Sequence, residues 1–239
     1  MLIDQQPSFV LHTRAWRETS LLVEAFTRDY GRVGLVARGV RSAKSRVARA
    51  DLQPLQPLLL GWSARGELGT LIGAEQAGTR WTLSGEALIA GMYVNELVLR
   101  LSGRNDAHQD AFAAYTQCLA RLAEEPAIAW TLRRFERDFL ADLGYGLMMT
   151  HAVGGGPIQA EANYAYVPDS GPIAWREECG FPRVRGSALL ALDRDDIPSE
   201  SDLAQLRPMM RATIRHLLGG DLNAWTMSPP RARDAAIDH

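Results

Sequence analysis

The chain has 239 residues, of which 46% are hydrophobic and 23% charged, and its formal net charge is −2. These fractions are typical of a globular protein with a buried core and exclude a disordered or fibrous chain. No apolar run approaches the roughly 20 residues that span a bilayer, and the first residues lack the basic and then apolar pattern of an export leader, so we expect a cytoplasmic protein with no membrane association.

The cysteines and histidines argue against a metal site. Cys118 and Cys179 are too few for a disulfide framework or a four-thiolate zinc site. The five histidines show no metal-ligand spacing, and His151 with Cys179 would supply only two of the four ligands of a structural zinc. We therefore predict no metal and no cofactor, with Cys118 buried beside an apolar helical stripe and Cys179 a free thiol in a loop.

The first third of the chain has the pattern of short strands. Five segments between Phe9 and Gly78 are separated by charged or glycine-bearing turns, and they read FVLHTRAW, TSLLVEAFT, GRVGLVARG, LQPLLLGW and ELGTLIGAE. Five strands in so short a stretch fit a small closed barrel better than an open sheet, whose edges would need covering. A five-stranded nucleic-acid-binding barrel of the OB-fold type is our leading assignment, and an SH3-like barrel is the alternative that periodicity leaves open.

From residue 81 the hydrophobic period becomes helical. Capping residues and apolar stripes predict three helices between Ser84 and Gly144, and the helical signal resumes at Ser187. Pro208 lies inside the last stripe, where it should kink the helix or divide it in two.

A stretch rich in Gly and Pro, from His151 to Arg185, interrupts the helical pattern and has no clear period. We therefore predict a two-domain α+β protein. Residues 1–80 form the barrel, residues 81–226 form an α-helical domain with a long irregular loop region, and residues 227–239 form a disordered tail.

The most basic stretch of the chain runs from Arg28 to Arg49. It holds seven cations against the single acid Asp29; its first part alternates like a strand, and its second part, from Val40 on, has no apolar period. A strand that delivers a cationic loop suits the binding of a polyanion, and solvated faces usually mix both signs of charge. The alternative, a solubilising surface loop, stays open.

Aromatic and basic residues near the first strand add to this feature. Flat rings stack on bases, and guanidinium groups bind phosphates. We predict nucleic-acid contacts from a set of basic and aromatic side chains, namely Arg14, Trp16, Arg32, Arg38, Arg41, Lys44, Arg46 and Arg49.

A second basic feature lies in the helical part. Arg207, Arg211 and Arg215 recur every four residues and therefore share one helical face. Arg133 and Arg134 lie on an earlier helix that could pack beside it. The face is predicted to bind an acidic partner, while solvation or salt bridges within the fold remain the alternatives.

Motifs for catalysis are weak. Lys44 and Ser45 form a Lys-Ser pair without the preceding glycines of a phosphate-binding loop, and the glycines from 154 to 156 do not open a predicted helix. No nucleophile comes with an obvious base, and the clustered carboxylates or histidines of a metal-dependent nuclease are missing. We predict that the protein is not an enzyme. A nuclease ranks third, below two functions that need only nucleic-acid binding.

Long stretches resemble the bacterial RecO family of DNA repair and recombination mediators. FVLHTRAWRETSLLVEAFTRDYGRVGLVARGVRSAKSRVARADLQPLQPLLLGW is similar to that family's amino-terminal barrel. YVNELVLRL, LRRFERDFLADLGYG and HLLGG are similar to its helical domain. The resemblance implies an oligonucleotide-binding barrel, binding of single- and double-stranded DNA, and annealing of complementary strands without nucleotide hydrolysis.

The resemblance also implies protein partners. These are RecR and the acidic carboxyl-terminal tail of single-stranded DNA-binding protein, with which the family helps to load RecA. We expect that tail to bind the second basic feature, on Arg133, Arg134, Arg207, Arg211 and Arg215. The runner-up function is an RNA-binding module, because barrels of this kind bind both nucleic acids.

One departure from the family concerns zinc. Many members carry a four-cysteine zinc site in the region that matches His151 to Arg185, and Cys179 is the one cysteine here. The chain should therefore belong to a metal-free branch. We expect packing of aromatic side chains to order the region instead, namely Tyr164, Tyr166, Trp175 and Phe181.

Overall fold

The computed structural model describes residues 1–40, 47–64, 66–78, 80–124 and 127–227. Its first part is a five-stranded sheet in the order β1-β2-β3-β5-β4, and β1 also pairs with β4, which closes the sheet into a barrel. The strands are β1 Leu2–Trp16, β2 Ser20–Thr27, β3 Gly31–Ala37, β4 Pro57–Ser63 and β5 Gly69–Gln76. All five predicted strands are present, and β1 begins earlier than its pattern indicated.

Every second side chain of β2 and β3 points into the barrel and fills its interior. Val23 and Ala25 point inward with Val33 and Leu35, and all four are buried in one core cluster. The opposite face of β2 is buried as well, because Phe26 belongs to the core cluster of the helical domain. Both faces of this strand are therefore covered, one by the barrel core and the other by the helices.

The helical part contains five helices within the described residues. They are α1 Gly85–Leu101, α2 Gln109–Glu124, α3 Ile128–Asp142, α4 Gly186–Arg194 and α5 Glu200–Leu218. Helix α1 is central, since it contacts both the barrel and the helices α2, α3 and α5. Helix α5 continues through Pro208, so the proline does not divide it in two, and the alternative, a kink, stays a prediction. Burial of Leu206, Met209 and Met210 next to the proline offsets the hydrogen bond that a proline cannot donate.

The region between α3 and α4 contains a small sheet that the sequence pattern did not reveal. Its strands are β6 Asn163–Val167, β7 Gly171–Ala174 and β8 Arg183–Arg185, in the order β7-β6-β8. Two tyrosines of β6 connect it to the neighbouring loops. The Tyr164 hydroxyl accepts a hydrogen bond from the Gln159 amide at 2.9 Å, and the Tyr166 hydroxyl accepts one from the Met148 amide at 3.0 Å. Both rings are buried, as predicted.

The other residues expected to order this region are less enclosed. Trp175 and Phe181 are only half-buried, and the guanidinium carbon of Arg183 lies 5.6 Å from the centre of the Trp175 ring. Cys179 is a free, half-buried thiol near the Arg176 amide, and Cys118 is buried in the helical core. The predictions for both cysteines are confirmed. Burial also raises the pKa of the Cys118 thiol well above its ordinary value.

Aromatic rings join the two parts of the protein. Phe9 of β1 lies edge-on to Tyr115 of α2 with ring centres 4.9 Å apart, and Phe26 lies 5.5 Å from Phe112. The Tyr115 hydroxyl donates a hydrogen bond at 2.9 Å to Asn95, whose amide in turn donates to the backbone of β1. Such ring pairs contribute to stability beyond their buried area, and they form part of the core cluster in which barrel and helix residues pack together.

The connection between α1 and α2 covers an open edge of the barrel. Strands β3 and β5 pair in parallel only through Leu35 and Val36, so the first half of β3 lacks a neighbour on that side. There the backbone of Arg104 forms an isolated parallel β-bridge with that of Arg32. The Asn105 amide donates a hydrogen bond to the Arg32 carbonyl at 2.9 Å. Unpaired strand edges are a liability, and this contact covers one.

Candidate nucleic-acid interface

Three predicted contact residues meet at one end of the barrel. In the β1–β2 hairpin, Arg14 pairs with Leu22, and Trp16 pairs with Ser20 beside the connecting turn. Both side chains are exposed, and Trp16 keeps 36% of its surface accessible. Arg38 is also exposed and follows directly after β3. The last residue of β3, Ala37, pairs with Leu21 of β2, which is next to Ser20. We call Arg14, Trp16 and Arg38 the hairpin end.

The cations of the hairpin end are available to a ligand. Within the part of the chain that the structure describes, neither Arg14 nor Arg38 forms a salt bridge or a side-chain hydrogen bond. A guanidinium group without a carboxylate partner can bind a phosphate without first losing an ion pair. An exposed indole nearby offers a surface on which a base can stack.

The basic loop begins and ends at the barrel. Val40 and Val47 flank it, and both are buried in the barrel core at 5% and 7% exposure. Arg41, Lys44 and Arg46 lie between them, outside the described residues. Arg49 follows in a short 3-10 turn and is exposed. Sequence reasoning missed the burial of these two valines. As the apolar residues on either side of the basic run, they were the signal that could have indicated it.

Arg32 lies at the other end of β3 and has partners of its own. Its Nη1 is 3.0 Å from Oε2 of Glu24, and its Nε donates to the Ser102 carbonyl at 3.1 Å. Arg104 contacts the second oxygen of the same carboxylate. The side chains of Arg32 and Glu24 are only 18% and 11% exposed. The structure therefore does not bring Arg32 together with the hairpin end.

The three arginines of α5 share a face that has an aromatic neighbour. We call Arg207, Arg211 and Arg215 the α5 face. The guanidinium carbon of Arg211 lies 4.4 Å from the centre of the Trp225 ring, and that of Arg215 lies 6.0 Å from it. Arg215 also forms a salt bridge to Asp221, with Nε 2.5 Å from Oδ1. Sequence reasoning missed both Trp225 and Asp221, which come shortly after the glycines that end α5.

The two α3 arginines that were predicted to bind a partner are used inside the fold. Arg133 is buried, and its Nη2 lies 2.5 Å from Oε1 of Glu136, which also accepts a hydrogen bond from the Tyr93 hydroxyl. Burial raises the pKa of the Glu136 carboxyl above its ordinary value, although the charge of Arg133 acts in the opposite direction. Arg134 binds Asp195 at 2.5 Å. Helices α3 and α5 do pack together, yet neither α3 arginine offers a free cation to a partner.

Other kinds of site find little support among the described residues. In that part of the chain, no group of three or more His, Cys, Asp or Glu side chains is arranged to hold a metal ion. None of the helices described is long and apolar enough to cross a membrane. The strongest candidates for binding are the exposed cations of the hairpin end and the α5 face, where Arg207 and Arg215 are exposed and Arg211 is half-buried.

Comparison with known proteins gives a consistent result over the whole chain. The family model described as "Recombination protein O N terminal" matches residues 1–80, and the one described as "Recombination protein O C terminal" matches residues 83–226. A protein of Xanthomonas oryzae pv. oryzae is 45% identical over 238 residues, which are 98% of this chain and 99% of the relative. One from Stenotrophomonas maltophilia is 47% identical over 231 residues, or 95% and 97% of the two chains. Both are named "DNA repair protein RecO".

Proposed function

The chain belongs to the RecO family of DNA repair proteins, and from this premise we propose that it is a DNA-binding recombination mediator. It binds single- and double-stranded DNA in the cytoplasm and anneals complementary strands without nucleotide hydrolysis. It works with RecR to load RecA on strands coated by single-stranded DNA-binding protein. Family membership supports the DNA repair role. The exposed, unpaired cations beside Trp16 support the binding step.

The strand order supports an OB-fold for the barrel. The order β1-β2-β3-β5-β4, closed between β1 and β4 and with a parallel contact between β3 and β5, is that of the oligonucleotide-binding fold. An SH3-like barrel would join its strands in antiparallel pairs. OB-folds bind oligonucleotides on the face of strands 2 and 3 and on the adjacent loops.

In this chain only part of that face is open. Residues 102–105 cover its Arg32 end, and the paired charges there leave little room for a phosphate. The hairpin end and Arg49 stay accessible, while Arg41, Lys44 and Arg46 lie outside the described residues. We therefore place the nucleic acid on Arg14, Trp16 and Arg38, with further phosphate contacts from Arg41, Lys44, Arg46 and Arg49.

The acidic tail of single-stranded DNA-binding protein is assigned to the α5 face. Guanidinium groups there can bind carboxylates, and the Trp225 ring offers an apolar surface beside them. Arg133 and Arg134 are left out of this assignment, since their charges are already paired within the fold. The two proposed sites therefore lie on different domains.

A titration of labelled single-stranded DNA at several salt concentrations tests the DNA site. If four of the six proposed cations contact phosphates, the logarithm of affinity should fall with the logarithm of salt with a slope of about −3. Replacing Arg38, Arg41, Lys44 and Arg46 together by Ala should bring the slope towards zero. Trp16→Ala should weaken binding by about 1 to 3 kcal/mol at every salt concentration, because it removes stacking rather than charge.

A matched control removes four cations of the helical domain, by Ala substitution of Arg121, Arg176, Arg183 and Arg194. It changes the net charge equally and should keep the slope of the wild type. An unchanged slope in the folded barrel variant would exclude the proposed site. Tighter binding to RNA of equal length would exclude the preference for DNA.

A further inference from the structure

The α5 face already carries an acidic and an aromatic side chain from the chain's own carboxyl-terminal part. The Asp221 carboxylate lies 2.5 Å from Arg215, and the Trp225 ring lies 4.4 Å from the guanidinium carbon of Arg211. A carboxylate followed by a bulky ring is the combination that an acidic peptide with an apolar end would present. The protein therefore presents to this face the same groups that its proposed ligand would bring.

The backbone of this segment is firmly held. Leu222 and Ala224 are buried at 1% and 5% exposure. Glu96 of α1 accepts hydrogen bonds from the Asn223 amide at 2.9 Å and the Ala224 amide at 2.8 Å. An incoming peptide would therefore not displace the segment as a whole, and Trp225 stays next to the arginines.

The Asp221 side chain differs from the rest of the segment. The side chains of Asp221 and Arg215 are 54% and 53% exposed, so their salt bridge is in contact with water on both sides. The guanidinium of Arg215 holds the pKa of the Asp221 carboxyl below its ordinary value, so the pair is charged at neutral pH. Rotation of one exposed side chain breaks the pair without unfolding anything.

We propose that Asp221 is an intramolecular competitor for the α5 face. In the free protein it neutralises Arg215, and a carboxylate of the bound peptide takes its place while Trp225 forms the apolar wall of the site. The proposal rests on the function proposed above, in which this face receives an acidic tail. Because exposed ion pairs are weak, the competition lowers peptide affinity only roughly two- to fivefold. Such a contact keeps binding reversible without blocking it.

The test is a titration with a labelled synthetic peptide of several Asp residues and a carboxyl-terminal Phe. Asp221→Asn removes the competing charge and keeps the backbone carbonyl that binds Arg100. It should bind the peptide roughly two- to fivefold more tightly than the wild type. The gain should disappear when Arg215→Ala is added, because the released cation is then absent.

Asp169→Asn is the matched control. It removes the same charge from the partner of His216, the next residue on α5, whose Nε2 lies 2.6 Å from the Asp169 carboxylate. It should leave the affinity unchanged. Equal affinities of wild type and Asp221→Asn, or an equal gain in Asp169→Asn, would overturn the competitor while leaving the peptide site in place. Absence of binding to every variant would overturn the peptide site and the competitor together.

Discussion

The two ends of β3 differ although their sequences look alike. Arg32 and Arg38 are six residues apart on the same face of the strand, and both were predicted to contact DNA. Arg38 is exposed without a salt bridge among the described residues, whereas Arg32 is bound to Glu24 and Ser102. The difference comes from the α1–α2 connection, which covers one end of the strand only. Position on a face is therefore not enough to make a cation available.

The arginines of the helical domain also divide into paired and exposed ones. Arg133 is buried against Glu136, while Arg207 is exposed on α5. Among the described residues, the buried side chains also leave Nε of Arg133 and Oε2 of Glu136 without a hydrogen-bond partner. Arg133 is therefore paired inside the fold and Arg207 lies at the surface, although both belong to Arg-rich helical stretches.

The largest expected effect concerns the buried pair. Glu136→Gln leaves Arg133 buried without a counter-charge and should lower the free energy of unfolding by about 3 to 5 kcal/mol. Replacing both residues by apolar side chains of similar volume should recover most of the lost free energy of unfolding. Urea denaturation measures both. The control is Glu161→Gln, which breaks the exposed pair with Arg185 and should change stability by less than about 1 kcal/mol. A small effect of Glu136→Gln would mean that Arg133 is not structural.

The next effect separates the covered and open ends of β3. Gly31 has φ of +63°, and a Cβ there would overlap the backbone of Asp106; Gly39 has φ of +69° and open space around it. Gly39→Ala should cost about 1 to 2 kcal/mol from backbone strain alone. Gly31→Ala adds the steric overlap and should cost about 2 to 5 kcal/mol. Equal losses of stability in the two variants, measured by thermal or urea unfolding, would show that the α1–α2 connection does not pack closely against Gly31.

The smallest effect tests the two arginines directly. Arg38→Ala should make the salt slope of single-stranded DNA binding shallower by about 0.7, the value of one phosphate contact. Arg32→Ala removes the same charge but should leave the slope unchanged and lower stability instead, since Glu24 loses a partner. DNA titration and urea denaturation on both variants distinguish these roles. Equal slopes in the two variants would remove the distinction between the ends of β3.

Local pattern was sufficient for most of the secondary structure. Alternation in β2 and β3 and the apolar stripes of α1 to α3 follow from side-chain periods of a few residues, which the sequence displays directly. Strands β6 to β8 were missed because the three segments have only 5, 4 and 3 residues, too few to show an alternation. Pro208 does not divide α5, because burial of its neighbours outweighs the local cost of the proline.

The sequence by itself determined where the arginines fall on strands and helices, and which family the chain resembles. Only the tertiary structure decided which of these arginines remain available. Glu24 and Arg104 are 80 residues apart in the chain, and Arg134 and Asp195 are 61 residues apart. Ion pairs of this kind depend on the distance between folded segments, which no local period encodes. The fold therefore uses Arg32, Arg133 and Arg134 internally and leaves Arg14, Arg38 and Arg207 exposed at its surface.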